Sequence, residues 1–192
     1  MEDRGRQFPH GHITSAMTDR QHDALQQTSR RNPTEHTHPT RSKMVRSSLV
    51  ELKPDCWICK TLREPSHLVF FESRTSIGKL NPDQFFKGYS FLTLKWHDEE
   101  LYQLTDKNRK SFLEDMSRVA TALAKTFNPD KMNYELLGNG MPHLHWHLVP
   151  RYKTDPMWGR PIWTGSIRRK RLMREEYESL VKQVQSQLKD SQ

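Results

Sequence analysis

Three histidines alternate with apolar residues in the second half of the chain. They are His143, His145 and His147, separated by Leu144 and Trp146. Because side chains alternate between the two faces of a β-strand, this spacing predicts that all three imidazoles lie on one face. Imidazole can act as a nucleophile, a general base or a metal ligand near neutral pH. Spacing alone leaves open a solvent-facing strand and a set of metal ligands as alternatives to catalysis.

The only two cysteines of the chain, Cys56 and Cys59, are separated by two residues. This spacing occurs both in redox pairs and in metal sites. A redox pair normally opens a helix after a strand of a parallel βαβ unit, and no parallel-strand pattern surrounds these residues. The sequence therefore favours metal binding over redox chemistry.

Hydrophobic periodicity predicts the elements that position these residues. Four strand-like apolar runs, separated by turn residues, cover residues 67–71, 89–96, 133–137 and 144–149. Apolar residues at helical spacing predict one long amphipathic helix between Asp106 and Phe127, with Pro129 just beyond its end. A final helix carries the apolar residues Leu180, Val181, Val184 and Leu188. The pattern predicts an α+β fold in which an antiparallel sheet packs against the long helix.

Composition and charge limit the class of protein and its partners. With 31 Lys and Arg against 23 Asp and Glu, the formal net charge is +8, which favours phosphate-bearing partners. No stretch approaches the ~20 consecutive apolar residues that a bilayer span requires, and residues 1–30 lack the apolar core of a signal peptide. We therefore expect no membrane association and a cytoplasmic location, with a nuclear one as the alternative.

The histidine strand and its surroundings resemble the histidine-triad (HIT) family. The motif reads His143-Leu144-His145-Trp146-His147-Leu148-Val149 and is followed by Pro150-Arg151-Tyr152. The resemblance extends from about Cys56 to Trp163 and includes the long helix and the Gly-Asn-Gly turn at residues 138–140. It implies a HIT-like sheet of about five strands, a homodimer, and a nucleotide hydrolase or nucleotidyl transferase. The expected substrates are dinucleoside polyphosphates or nucleoside phosphoramidates, cleaved at the α-phosphate.

The domain boundaries expected from this resemblance divide the chain into three parts. Residues 1–46 lack hydrophobic periodicity and are rich in Arg, Gln, Thr, Ser and His, so we expect a disordered polar tail. Residues 47–165 are expected to form the HIT domain. Residues 166–192 are expected to form a basic segment followed by the C-terminal helix.

The resemblance also implies the residues of the catalytic step. His145 is the expected nucleophile and would form a transient nucleotidyl-histidine intermediate, which agrees with the reactivity of a neutral imidazole. His147 is expected to hydrogen-bond the phosphate or the leaving oxygen. Asn139 is expected to contact the phosphate.

The remaining nucleotide contacts are expected elsewhere along the chain. An acidic residue in the turn at residues 81–83 should hold the ribose, which points to Asp83, with Asn81 beside it. This chain has Met141-Pro142 where many relatives have a longer loop that ends in Gln or Ser. Arg151 is therefore a candidate for the missing phosphate contact.

A structural zinc ion is the expected cofactor. Several histidine-triad proteins bind zinc through a cysteine pair, a histidine after the lysine-containing strand and the first histidine of the triad. The corresponding residues here are Cys56, Cys59, His97 and His143. Four such ligands form a closed tetrahedral site that contributes folding free energy, and the expected reaction needs no separate catalytic metal.

Two other functions compete with this one. The chain could be a non-catalytic nucleotide-binding or interaction module that retains the fold. It could also remove AMP from nucleic-acid ends, as in the aprataxin branch of the superfamily, for which a basic run at residues 168–171 is the support. A nucleic-acid partner is weakly supported, because little chain follows Trp163 and a basic run is more often a solvated face.

Overall fold

The computed structural model describes residues 52–165 and 168–189. The predicted polar tail at residues 1–46 lies outside this part. In chain order, the described elements are α1 (Trp57–Thr61), β1 (Val69–Glu72), β2 (Ser76–Leu80), β3 (Ser90–Leu94), α2 (Asp106–Phe127), β4 (Lys131–Leu136), β5 (His145–Arg151) and α3 (Arg174–Lys189). Single turns of 3₁₀ helix occur at Leu101–Gln103 and Ile162–Thr164.

The strands form one antiparallel sheet in the order β1-β2-β3-β5-β4. This confirms the predicted α+β fold and its sheet of about five strands. The apolar runs did not reveal β2, because Ser76, Gly78 and Lys79 interrupt its hydrophobic pattern. Ser76 and Gly78 are nevertheless buried, and Leu80 completes the alternating burial of a strand with one face covered.

The long helix has the bounds that its periodicity predicts. The hydroxyl of Thr105 accepts a hydrogen bond from the backbone N–H of Asn108 at 3.3 Å and caps the first turn. At the other end Asn128 adopts a left-handed conformation (φ 45°), and its N–H donates to the carbonyl of Ala124. One face of the helix is buried against the sheet through Phe112, Val119, Ala120, Ala122, Leu123 and Phe127.

The C-terminal helix α3 packs on α2 and β1 of the same chain. Its buried residues Tyr177, Leu180, Val181, Val184 and Leu188 join the main core. Burying each large apolar side chain contributes roughly 1.5–3 kcal/mol, so this helix is part of the fold. None of the described helices is both long and apolar enough to cross a bilayer.

The alternation of β5 gives the sheet two different faces. Trp146 and Leu148 pack with the helices, whereas His145 and His147 lie on the opposite face. In the register with β3, Thr93 pairs with His145 and Phe91 pairs with His147. The histidines therefore stand on a central strand, on the face of the sheet opposite α2 and α3.

Candidate active site

His145 is oriented by the backbone of its own strand. It is 7% exposed, and its Nδ1 lies 2.6 Å from the carbonyl oxygen of His143. Because a carbonyl only accepts hydrogen bonds, Nδ1 must carry the proton and Nε2 keeps a free lone pair. Burial lowers the pKa of His145, against the opposing effect of this hydrogen bond. The result is a neutral imidazole with Nε2 available as a nucleophile.

His147 is held by a residue that comes just before the neighbouring strand β3. Its Nδ1 lies 2.6 Å from the hydroxyl oxygen of Tyr89. Burial first, and then the repulsion that a protonated His145 would exert, lower the pKa of His147 to about 4. Burial raises the pKa of Tyr89, so its hydroxyl stays protonated, and the Asn81 side chain also hydrogen-bonds this residue. Tyr89 can thus donate to Nδ1 of His147, which leaves Nε2–H of His147 as a donor for a ligand.

Sequence reasoning did not identify Tyr89 as a site residue. It is separated from His147 by 58 positions and comes just before β3 in an apolar run. The pairing of β3 with β5 brings the two side chains together. The only signal in the sequence was a tyrosine at the start of a predicted strand, and no local pattern showed which strand would pair with the histidine strand.

A cleft lined by these histidines, here called the main cleft, has a volume of about 740 Å³. Its polar lining includes His145, His147 and Asn139, so the predicted phosphate-contacting Asn139 lies beside the candidate nucleophile. Its apolar wall comes largely from α1, the segment after it, and β2, and includes Ile58, Leu62, Leu68 and Leu80. An apolar cleft with a few convergent polar groups suits a nucleoside and its phosphate.

The predicted ribose residues form a tight turn near this cleft. Oδ1 of Asn81 accepts the backbone N–H of Asp83 at 2.7 Å, as in an Asx turn. Oδ1 of Asp83 accepts the N–H groups of Phe85 and Lys170, each at 3.0 Å. Both side chains border a second cleft that His147 also lines. Their contact with ribose remains a prediction.

Arg151 does not occupy the position expected of a phosphate contact. It is 2% exposed, and Nε lies 3.1 Å from Oδ2 of Asp155. The other guanidinium nitrogens donate to the carbonyls of Arg160, Pro156 and Met157 at 3.1–3.4 Å. The group also stacks over the ring of Phe86. These contacts tie together the loop after β5, so Arg151 is better explained as a structural residue.

The four residues predicted as metal ligands come together at one end of the sheet. The ligand atoms of Cys56, Cys59, His97 and His143 all lie within 4.8 Å of one another. Nδ1 of His143 is 3.5 Å from both sulfurs, and Nδ1 of His97 is 3.6 Å from Sγ of Cys59. Tetrahedral zinc with bonds of ~2.0–2.3 Å places its ligand atoms roughly 3.3–3.8 Å apart. The cluster therefore fits a closed tetrahedral site.

The outer nitrogens of the two histidines are engaged in a way that suits metal binding. Nε2 of His143 lies 2.9 Å from the carbonyl oxygen of Leu94, and Nε2 of His97 lies 3.3 Å from a carboxylate oxygen of Glu99. Each acceptor fixes the proton on Nε2 and leaves the Nδ1 lone pair directed at the cysteines. Both histidines are thus in the tautomer that a metal ligand requires.

Comparison with known proteins gives consistent matches. A family model described as HIT domain matches residues 63–154. The chain is 30% identical over 116 residues to Protein hit of Bacillus subtilis, covering 57% of this chain and 79% of that protein. It is 27% identical over 118 residues to adenosine 5′-monophosphoramidase HNT1 of Saccharomyces cerevisiae, covering 58% and 71%. A solved Zn-bound histidine triad family protein from Mycobacterium smegmatis has a TM-score of 0.55 and 23% identity, covering 72% and 98%.

Proposed function

Because this chain belongs to the HIT domain family, we propose that it is a nucleotide hydrolase or nucleotidyl transferase acting at the α-phosphate of nucleoside phosphate compounds. The similarity to an adenosine 5′-monophosphoramidase supports this class of reaction. The observation that carries the proposal is the state of His145. Its Nδ1 proton is donated to the carbonyl of His143, and its neutral ring leaves Nε2 free at the main cleft.

The reaction proceeds in two displacements. In the first, a bond forms between Nε2 of His145 and the α-phosphorus while the bond to the leaving group breaks, and its electron pair departs with the leaving atom. The developing positive charge on the imidazole is stabilised by the hydrogen bond from Nδ1 to the carbonyl of His143. In the second, water attacks phosphorus, the P–N bond breaks, the electron pair returns to Nε2, and the proton of water passes to solvent.

Two residues near His145 assist the first displacement. Nε2–H of His147, held in place by Tyr89, donates to the leaving oxygen as negative charge develops there. Asn139 lines the main cleft and a smaller recess, both of which His145 also lines, and its amide can donate to a non-bridging phosphate oxygen there. Arg151 is left out of this set because its guanidinium is engaged with the loop.

We propose further that Cys56, Cys59, His97 and His143 bind a structural zinc ion. The spacing of their ligand atoms and the tautomers of both histidines support this assignment. The similar protein from Mycobacterium smegmatis is Zn-bound. Zinc held by these four residues would supply folding free energy by cross-linking the start of α1, the segment after β3 and the segment before β5.

We also propose that two copies of the chain associate as a homodimer through the β4 edge. In the described sheet this strand ends one side of the strand order. Tyr134 and Leu137 are exposed along it, and Trp158 is exposed nearby. Exposed apolar groups beside an unpaired strand are typical of an interface. Light scattering coupled to size-exclusion chromatography would test this proposal, and a monomer at micromolar concentration would contradict it.

The enzymatic proposal is tested by measuring turnover of adenosine and guanosine compounds, including dinucleoside polyphosphates and phosphoramidates. Wild-type protein should release the nucleoside monophosphate, and His145→Asn should lower the rate by about a thousandfold or more, because removal of a nucleophile abolishes the covalent route. His67→Asn is the matched control, because the His67 ring packs edge-on against Tyr177 of α3 and is not one of the triad histidines. Absence of turnover by folded wild type would favour the nucleotide-binding module instead.

A further inference from the structure

A second cleft, here called the arginine cleft, opens beside the main cleft and has a volume of about 420 Å³. Aromatic rings of Phe85, Phe91 and Trp163 form part of its wall, and Arg169 and Arg171 form part of its rim. Five residues line both clefts, among them Phe91, Trp163 and His147. They therefore meet at the histidine proposed to contact the leaving oxygen.

The basic segment on this rim is fixed to the fold by its backbone. The carbonyl of Lys170 accepts the N–H of Gln84 at 2.8 Å, and the N–H of Lys170 donates to Oδ1 of Asp83 at 3.0 Å. Arg169 and Arg171 directly flank this anchored residue. Although both side chains are exposed, their Cα positions are set by the turn at residues 81–84.

A second pair of hydrogen bonds holds the segment from its other end. The hydroxyl of Tyr177 donates to the carbonyl of Pro82 at 2.6 Å and accepts the N–H of Leu172 at 3.1 Å. Tyr177 belongs to α3 and is buried in the main core. A basic run that was only a solvated face would not need anchors on both sides of Arg171.

The charges on the rim are not neutralised within the described residues. In residues 52–165 and 168–189, neither Arg169 nor Arg171 forms an ion pair. Asp83 is the carboxylate bordering the arginine cleft, and its Oδ1 already accepts two backbone N–H groups. Two guanidinium groups against one carboxylate leave the cleft positive. Guanidinium groups bind phosphate oxygens through paired hydrogen bonds, which makes a phosphate chain the fitting ligand.

The position of His147 relates this cleft to the reaction. His145 lines the main cleft but not the arginine cleft, whereas His147 lines both. In a displacement at phosphorus the leaving oxygen departs from the side opposite the nucleophile. A leaving group whose oxygen is bound by His147 would therefore continue into the arginine cleft. The apolar wall of the main cleft remains for the nucleoside that is transferred to His145.

We propose that the arginine cleft binds the phosphate chain of an anionic leaving group, with Arg169 and Arg171 contacting its phosphates. The aromatic wall beside them, including Phe85 and Trp163, would stack on the base of a second nucleoside. This inference rests on the proposed function and narrows its substrate class to dinucleoside polyphosphates. Substrates with a small, uncharged leaving group would gain nothing from this cleft.

The test compares two substrates in two double variants. Diadenosine tetraphosphate has a polyphosphate leaving group, and adenosine 5′-phosphoramidate leaves only ammonia. The measured quantity is kcat/KM for diadenosine tetraphosphate divided by kcat/KM for adenosine 5′-phosphoramidate. For Arg169→Gln with Arg171→Gln this ratio should fall by about tenfold to a hundredfold, because charge-assisted hydrogen bonds to the polyphosphate are lost. The control, Lys107→Gln with Lys182→Gln, removes the same charge from exposed positions on α2 and α3 that do not line the arginine cleft. Its ratio should stay within about twofold, since distant surface charges are screened by salt.

Binding of inorganic tripolyphosphate, measured by calorimetry, separates this inference from the proposed function. Tripolyphosphate should bind the wild type, and its affinity for the Arg169/Arg171 double variant should be lower by about tenfold or more. If neither substrate is turned over but this difference persists, the proposed function fails and the anion site stands. Equal binding of tripolyphosphate and an unchanged substrate ratio in the two double variants would overturn the proposal that the arginine cleft binds a phosphate chain. Arginine-dependent preference for a 5′-adenylated oligonucleotide would overturn the dinucleoside assignment in favour of a nucleic-acid end.

Discussion

The carbonyl oxygen of His143 accepts the Nδ1 proton of His145 at 2.6 Å, while the imidazole of His143 faces the two cysteines at 3.5 Å. One residue thus belongs to the proposed metal site through its side chain and orients the proposed nucleophile through its backbone. Because the imidazole and the carbonyl group both belong to His143, displacement of the side chain would also move the carbonyl oxygen that fixes the tautomer of His145.

Cys59→Ser should lower both zinc content and stability. Cys59 is buried, and a closed zinc site contributes directly to folding free energy. We expect zinc, measured by plasma mass spectrometry after dialysis, to fall well below one ion per chain, and the Tm to fall with it. Thr61→Ser is the matched control, because it changes α1 without removing a ligand. Equal zinc content and Tm in the two variants would rule out a metal held by Cys59.

Tyr89→Phe should slow turnover by about tenfold or more, because His147 loses the group that fixes its donor proton. The effect should appear in kcat, since Tyr89 acts through His147 and not through nucleoside binding. The variant leaves Nδ1 of the buried His147 without a hydrogen-bond partner, which should lower the free energy of unfolding by about 1–3 kcal/mol.

Tyr152→Phe provides the comparison for this variant. Its hydroxyl donates to the carbonyl of Phe127 at 2.7 Å, on a different part of the fold. It should lose stability by about 1 kcal/mol and leave kcat unchanged. If both tyrosine variants lower kcat equally, the link between Tyr89 and His147 has no part in the reaction.

The sequence predicted elements with uninterrupted periodicity and missed those that depend on pairing. The helix at Asp106–Phe127 and the histidine strand follow directly from the spacing of apolar residues. The strand Ser76–Leu80 was not seen, because its buried positions include a serine and a glycine. Its place in the sheet is determined by hydrogen bonds to strands on both sides, which no local pattern encodes.

The site residues divide in the same way. The four clustered ligands were predicted from family resemblance, since 38 to 87 positions separate the cysteines from the histidines they face. Arg151 was predicted as a phosphate contact from its position after the motif, and that position says nothing about the loop that surrounds its guanidinium. Burial of that group depends on the carbonyls of residues 156, 157 and 160, which only the folded chain brings together.

Arg151→Gln should lower the free energy of unfolding and leave catalysis nearly unchanged. The substitution removes a buried ion pair with Asp155 and leaves several loop carbonyls without a donor. Loss of one partner of a buried pair typically costs about 3–5 kcal/mol, so denaturant unfolding should show a clear drop. At a temperature where the variant is folded, its kcat/KM should remain within about threefold of wild type. A stable variant with a large loss of turnover would restore Arg151 as a phosphate contact.

Acid should destabilise the protein partly through His147. Its pKa is lowered to about 4 by burial, whereas an unfolded chain titrates this histidine near 6.5. Above pH 6.5 neither state is protonated and the group contributes nothing to the pH dependence. Between pH 6.5 and 4 the unfolded state binds a proton that the folded state does not, so the free energy of unfolding falls by at most about 3 kcal/mol.

His147→Asn isolates this contribution, because asparagine does not titrate. Protonation of the proposed zinc ligands also destabilises the folded state in acid, but it acts on both proteins alike. The free energy of unfolding, measured with urea at pH 7, 6, 5 and 4.5, should therefore fall less steeply for the variant than for the wild type. The difference between the two free energies should narrow as the pH falls. Parallel curves across that range would mean that His147 is protonated in the folded protein, contrary to its burial against Tyr89 and Trp163.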